Sequence, residues 1–201
     1  MNITEPALLI ASSSPTDITC YGANNGSINL TVSGGTPSYS FLWSNSKTTE
    51  DIFGLTASNY SVTVTDFKGC TVSASANVTE PALLTASAIG TNIACFGANN
   101  GSVDLTVSGG TLSYSFLWSN SKTTEDINGS SAANYTVTVT DFKGCTATAS
   151  ANIIEPALLT ASAIGTNLTC FGANNGSVDL TVSGGTPAYS FHWSKDRKSV
   201  V

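Results

Sequence analysis

The chain has 201 residues, 41% of them hydrophobic and only 10% charged, with a net charge of −6. A surface this poor in Lys and Arg excludes a nucleic-acid partner, whose phosphates demand a basic face, and no stretch approaches the roughly 20 apolar residues of a membrane span. Low charge, β-branched enrichment and Gly- and Asn-rich punctuation fit an all-β module, because a disordered tract would lack the alternating apolar residues described next.

From the N-terminus, Ala7-Leu8-Leu9-Ile10-Ala11 predicts a first strand after Glu5-Pro6, and Ile18-Thr19-Cys20 extends that edge. Gly22-Ala23-Asn24-Asn25-Gly26 predicts a turn, with Asn-Gly the strongest short hairpin signal because both residues tolerate φ > 0. Ile28, Leu30 and Val32 then alternate with polar residues at a period of two. Gly34-Gly35-Thr36-Pro37 breaks the chain, and Tyr39, Phe41 and Trp43 follow at i, i+2, i+4, on one face of a strand. Thr48–Ile52 predicts a short edge strand. Tyr60, Val62 and Val64 alternate in the next, and Asp66-Phe67-Lys68-Gly69 turns into a last strand carrying Cys70, Val72, Ala74, Ala76 and Val78. Six or seven strands without a helical period require two packed sheets. Leu55, Ala57 and Tyr60 resemble the tyrosine corner of immunoglobulin-like folds, so the expected class is an all-β immunoglobulin-like sandwich.

The same pattern then repeats. Glu5–Thr79 and Glu80–Ile154 align without a gap, with 56 of 75 positions identical, and Glu155–Ser194 matches Glu80–Ser119 at 35 of 40. A period of this kind marks an array of modules. The expected organisation is a remnant of a preceding module at 1–4, complete modules at 5–79 and 80–154, and the first half of a third at 155–194. On strand geometry each module is about 30 Å long. Met1 aligns with Ala76, so a signal peptide is expected further upstream. Residues 195–201 read as the translation of the start of a widely used short-read sequencing adapter, and Lys195 stands where Asn is expected; this tail is taken to be non-native. The expected core residues are Tyr39, Phe41, Trp43 and Tyr60, with Tyr114, Phe116, Trp118 and Tyr135 at the same places in the second module.

The five cysteines follow the repeat, two in each complete module and one in the half module. Parity within a module predicts disulfides Cys20–Cys70 and Cys95–Cys145, leaving Cys170 unpaired. The rival reading is two buried free thiols per module. A metal is disfavoured at these positions, since no CxxC occurs and no His lies near a Cys.

No catalytic residues emerge. The single histidine, His192, replaces Leu42 and Leu117 at an outward strand position, and Glu50-Asp51 are adjacent in a strand and point to opposite faces. The Tyr39-Phe41-Trp43 row reads as sandwich core, with a carbohydrate-stacking platform as the alternative. Calcium is the one candidate ligand ion, with Asp17, Asn24, Asn25, Asp66 and Glu80 as weak oxygen donors, although no loop has the dense DxDxDG pattern. In the second module Phe53-Gly54-Leu55 becomes Asn128-Gly129-Ser130; losing Leu55 ahead of the tyrosine corner predicts a weaker module.

Three ordered motifs carry a specific resemblance: Cys-x-Gly-x-Asn-Asn-Gly-Ser-[Ile/Val] from Cys20, Ser-Gly-Gly-Thr-Pro-x-Tyr-x-Phe-x-Trp-Ser from Ser33, and Asn-Tyr-x-Val-Thr-Val-Thr-Asp-x-x-Gly-Cys from Asn59. Together they resemble the SprB-type repeat of Bacteroidota cell-surface adhesins over essentially all of residues 5–194. The resemblance implies very long extracellular proteins, often exported by the type IX system. A founding member is a mobile gliding adhesin, a role that does not transfer with the repeat. The expected function is a stalk or multivalent adhesive segment at the cell surface, with neighbouring modules and a surface polysaccharide or other surface ligand as partners. The alternative is a carbohydrate-binding module.

Overall fold

A computed structural model describes residues 4–194. The expected non-native tail at 195–201 and most of the remnant at 1–4 lie outside the described residues. The chain forms two compact units. One runs through Ser87 and takes in Thr106–Leu117 and Val137–Ala149; the other holds Ala88–Leu105, Trp118–Thr136 and the residues from Ser150 on. That division falls inside residues 80–154, so the repeats are described one at a time.

The first repeat has six strands: β1 (Ile10–Thr16), β2 (Gly26–Ser33), β3 (Ser40–Trp43), β4 (Ile52–Leu55), β5 (Ser58–Thr65) and β6 (Thr71–Val78). They form two antiparallel sheets, ordered β1-β2-β4 and β3-β5-β6. Alternation assigns the inner faces. Ile28 and Leu30 of β2 and Ile52 and Leu55 of β4 pack against Trp43 of β3, Tyr60, Val62 and Val64 of β5, and Ala76 and Val78 of β6. The intervening residues, such as Asn29, Thr31, Ser61, Thr63, Ser73 and Ser75, face outward. The fold is thus an immunoglobulin-like β-sandwich. Tyr60 closes its corner as its resemblance implied, its hydroxyl donating to Thr56 O at 3.1 Å. Gly34, at φ +73°, passes so close to the first segment that a Cβ there would lie 1.8 Å from Leu8 O, which only glycine permits.

Three local expectations are corrected. The first strand runs over Ile10–Thr16 rather than Ala7–Ala11, because Ala7 is taken up by a hydrogen bond from Gly35 N while the Ser-rich run pairs residue for residue with β2. Pro15 is tolerated there because β1 is an edge strand. The Asn25-Gly26 hairpin turn is absent: Gly26 already begins β2, and the reversal is made by Cys20–Ala23, with Gly22 at φ +72° and Ala23 N donating to Cys20 O. The edge strand lies at Ile52–Leu55, not Thr48–Ile52. Residues ahead of it wrap Trp43, whose backbone N donates to Lys47 O and whose indole donates to Thr49 O at 2.9 Å. Glu50 and Asp51 accordingly sit in that bend, and Asp51 Oδ1 accepts from Leu30 N.

Residues 80–154 carry the same strands: β7 (Thr85–Thr91), β8 (Gly101–Ser108), β9 (Ser115–Trp118), β10 (Ile127–Ser130), β11 (Ala133–Thr140) and β12 (Thr146–Ile153). Their sheets are β10-β8-β7 and β12-β11-β9. In residues 155–194 the described strands are β13 (Thr160–Thr166) and β14 (Ser177–Ser183), a single antiparallel pair. Leu159, Ala161, Leu180, Val182, Tyr189 and Phe191 line an open recess there. They correspond to Leu9, Ala11, Leu30, Val32, Tyr39 and Phe41 of the first repeat, so this recess is the core-facing side of the described β13–β14 sheet.

The within-module disulfides are also corrected. Cys20 is bonded to Cys145, and Cys70, Cys95 and Cys170 are free and exposed. The reason is strand direction. Cys20 follows the end of β1, where Ile18 N donates to Thr79 O just past the end of β6. Cys70 precedes β6, at the other end of the same strand, where Asp66 and Thr36 meet. The two cysteines of one module are therefore separated by the eight residues of β6, roughly 26 Å of extended chain. A disulfide needs Cα atoms within about 7 Å. Within-repeat pairing fails because β2, which follows Cys20, and β6, which follows Cys70, begin at opposite ends of the sandwich.

Candidate functional site

The end of the first repeat that carries Cys20 is built by three polar braces. Asp17 Oδ1 accepts from Thr79 N at 2.7 Å, tying the exit of β1 to the exit of β6. Asn25 accepts from Thr19 N and donates to Thr19 Oγ1, holding the segment between β1 and Cys20. Glu80 Oε2 accepts from Gly22 N at 2.8 Å, fixing the turn that follows it. The opposite end is organised by Asp66, a buried carboxylate. Its Oδ2 accepts from Thr36 N at 2.8 Å and its Oδ1 from Lys68 N and Cys70 N at 2.9 Å each. These backbone donors, Thr36 first, hold its carboxyl below the usual carboxylate range against the opposing effect of burial. The Thr79 N–H likewise lowers Asp17.

The two kinds of end meet at Cys20–Cys145, whose Cα atoms are 5.7 Å apart. Beside the bond, Tyr21, Leu83, Leu84, Gly144 and Thr146 line a recess of about 320 Å³. A second recess, of about 390 Å³, is lined by Asp17, Thr19, Thr79, Glu80, Pro81, Thr111 and Lys143 among others. It offers carboxylates, an ammonium and hydroxyls to a polar ligand and no histidine.

The five calcium candidates are split by this arrangement. Asp17, Asn25 and Glu80 lie at the Cys20 end, with Asn24 in the loop between them, whereas Asp66 caps the far end. In the second repeat Asn92 stands for Asp17 and accepts the same backbone bond, from Ile154 N at 3.0 Å. An uncharged amide does the same work, so the charge of Asp17 is not what the position requires. Among the described residues no group of three or more His, Cys, Asp or Glu is gathered in metal-binding range. His192 is exposed and outside any strand.

The aromatic row is interior. Trp43 and Trp118 are each 2% exposed, Tyr60 and Tyr135 are buried, and Tyr39, Phe41, Tyr114 and Phe116 are half-buried. In the first two repeats the exposed aromatics are instead Tyr21 and Phe96 after the first cysteines, Phe53, and Phe67 and Phe142 in the Asp-Phe-Lys-Gly turns. Sequence reasoning missed that Thr111 and Lys143 line the same recess as Asp17, because nothing local to either segment signals the other.

A family model described as the SprB repeat matches residues 12–48, 87–123 and 162–196, more than half of the chain. The chain belongs to the SprB repeat family. Each match spans most of the first strand and all of the second and third strands of one repeat, or their counterparts, and contains the Cys-x-Gly turn. No curated protein matches the sequence. Among solved structures, these SprB repeats are similar to a C-terminal 282-residue fragment of intimin in complex with the translocated intimin receptor intimin-binding domain, at 18% identity, covering 79% of this chain and 67% of that one, with a TM-score of 0.39. They are also similar to a structure concerning Dscam isoform specificity, at 16% identity, 72% of this chain and 46% of that one, with a TM-score of 0.31. A DSCAM fragment of eight N-terminal Ig domains aligns at 12% identity over 77% of this chain and 24% of that one, TM-score 0.31. The chain spans less than half the length of the Dscam chains it matches.

Proposed function

We propose that residues 5–194 are a repeat segment of a large bacterial cell-surface protein, serving as a stalk or a multivalent adhesive region and not as an enzyme. The observation that carries this reading is covalent: near-identical SprB repeats are joined to one another by Cys20–Cys145, a bond that links successive repeats and does not staple one of them. Such a bond resists separation of the repeats under load. A disulfide also fits an extracellular setting, since reducing compartments do not maintain it. The outer sheet faces of the first repeat carry mostly uncharged Ser, Thr and Asn, interrupted by exposed Ile10, Leu42 and Phe53. That surface suits many weak contacts, where avidity comes from the number of modules. No described helix is long and apolar enough to cross a membrane.

Surface polysaccharide is the partner class we favour for the adhesive role, with each repeat contributing weakly. Calcium is not needed in this reading, because Asp17, Asn25, Asp66 and Glu80 each already accept at least one backbone N–H. Pulling the chain from its ends in a single-molecule experiment tests the stalk reading: the oxidised chain is expected to extend without residues 21–144, which the bond shields from force, and two successive unfolding events, one per complete repeat, are expected only after reduction. A glycan array provides the counter-test. Micromolar or tighter binding of one defined glycan by the monomeric chain would transfer the assignment to a carbohydrate-binding module.

A further inference from the structure

We propose that Cys20–Cys145 is one link of a serial staple, in which the first cysteine of each SprB repeat bonds to the second cysteine of the repeat that follows it, 125 residues on. The proposal assigns a partner to Cys95: the Asp-x-x-Gly-Cys turn of the repeat to which residues 155–194 belong. It assigns to Cys70 the Cys-x-Gly turn of a repeat placed ahead of residue 5. It holds whether or not the segment is adhesive.

Both halves of the observed joint are present again, formed in the same way. Around Cys20, Ala23 N donates to Cys20 O at 3.0 Å and Gly22 N donates to Glu80 Oε2 at 2.8 Å. Around Cys95, Ala98 N donates to Cys95 O at 3.0 Å and Gly97 N donates to Glu155 Oε2 at 2.9 Å. The second half is equally reproduced. Asp141 Oδ1 accepts from Lys143 N at 2.9 Å and Cys145 N at 2.8 Å, and Asp66 Oδ1 accepts from Lys68 N and Cys70 N at 2.9 Å. One turn of each kind is already bonded, and the cysteines of the others, Cys95 and Cys170 of the first kind and Cys70 of the second, are exposed and free.

The groove supplies an independent observation. Beside Cys20 it is walled by Tyr21, Leu83 and Leu84 and closed by Gly144, Cys145 and Thr146. Beside Cys95 the corresponding wall is Phe96, Leu158 and Leu159, bounding a recess of about 380 Å³ with no Gly-Cys-Thr segment among its lining residues. The occupant of that place in the first joint is the turn around Cys145, so the second joint fits the same turn. Pairing within one repeat is excluded by the β6 span, and the same span separates Cys95 from Cys145 along β12. Forming each link oxidises two thiols. One protein thiolate attacks a small disulfide such as oxidised glutathione, forming a mixed disulfide and releasing one glutathione; the second protein thiolate attacks the protein sulfur of that mixed disulfide and expels the other, so the two electrons and two protons leave as two molecules of reduced glutathione.

The test is a chain in which residues 195–201 are replaced by a second copy of residues 120–154, completing the third repeat behind the intact first two. After oxidation by glutathione, non-reducing digestion and mass spectrometry are expected to find Cys20 linked to Cys145, and Cys95 linked to the cysteine of the appended turn, with Cys70 and Cys170 alkylated as free thiols. In the unextended chain Cys95 is alkylated completely. A Cys20→Ser variant of the extended chain should keep the Cys95 link and release Cys145 as a thiol. Linkage of Cys170 to the appended cysteine, of Cys95 to Cys145, or a Cys95 that stays free in the folded, monomeric extended chain overturns the proposal.

Discussion

Cys20 is bonded to Cys145, 125 residues further along the chain and in the next repeat. In the chain-entropy picture, closing a loop of that length contributes about 5 kcal/mol against complete unfolding. Cys20→Ser and Cys145→Ser are expected to lower the guanidinium midpoint of the oxidised chain equally. Cys70→Ser should leave it unchanged; a comparable loss there would restore the within-repeat pairing.

Leu55 and Ser130 occupy the same place in successive repeats, before the tyrosine corner. Leu55 is 2% exposed and packed in the core, while Ser130 is 4% exposed and its hydroxyl has no hydrogen-bond partner. The second repeat therefore loses apolar burial and strands a polar group. Ser130→Leu should stabilise it by about 2–4 kcal/mol, and Leu55→Ser should weaken the first repeat by a similar amount. Thermal unfolding of the full chain reads both; no gain from Ser130→Leu would contradict the core assignment of that site.

Trp43 fills the sandwich and its indole donates to Thr49 O. Trp43→Ala should cost roughly 3–5 kcal/mol in a urea titration. If Trp43 served as a glycan platform instead, the substitution would leave stability nearly untouched.

Asp66 and Asp141 give the chain an acid-sensitive element. Backbone donors led by Thr36 hold Asp66 down, and for Asp141 burial opposes ionisation most strongly, but Thr111, Cys145 and Lys143 together still leave it lowered. A depressed folded pKa means that ionisation favours folding. This contribution is fully present above the ordinary carboxylate value near 4 and is lost as the pH falls through the lower folded values. Urea midpoints should fall on acidification below about pH 4, and Asp66→Ala should destabilise strongly at pH 7 but much less at pH 2. An equal penalty at both pH values would show that the charge is not involved.

Thermal unfolding in calcium and in a chelator should superimpose. A rise of several degrees with calcium would place the ion at the Asp17–Glu80 end, since the Asp66 oxygens are occupied by three N–H donors.

The sheets were legible because period-two runs such as Ile28-Leu30-Val32 and Tyr60-Val62-Val64 state which residues face inward. The tyrosine corner was legible too, from Tyr60 placed ahead of that run. The edges were not. Ser12–Thr16 has almost no apolar signature and is a strand because β2 offers it a ladder, while Lys47–Asp51 looks extended but is bent around Trp43. The disulfide was misplaced for a different reason. Cysteine parity counts partners within a repeat, but strand direction decides which end each cysteine occupies, and a one-dimensional pattern does not show direction. Asp66 looked like an ion ligand because a loop carboxylate and a turn cap have the same sequence signature; only the donors around it tell them apart.

The most direct measurement is a disulfide map of the folded, oxidised 201-residue chain by digestion under non-reducing conditions and mass spectrometry. Joined repeats predict a single linked pair containing Cys20 and Cys145, with Cys70, Cys95 and Cys170 recovered as alkylated thiols. Recovery of Cys20 linked to Cys70 and Cys95 linked to Cys145 would contradict it.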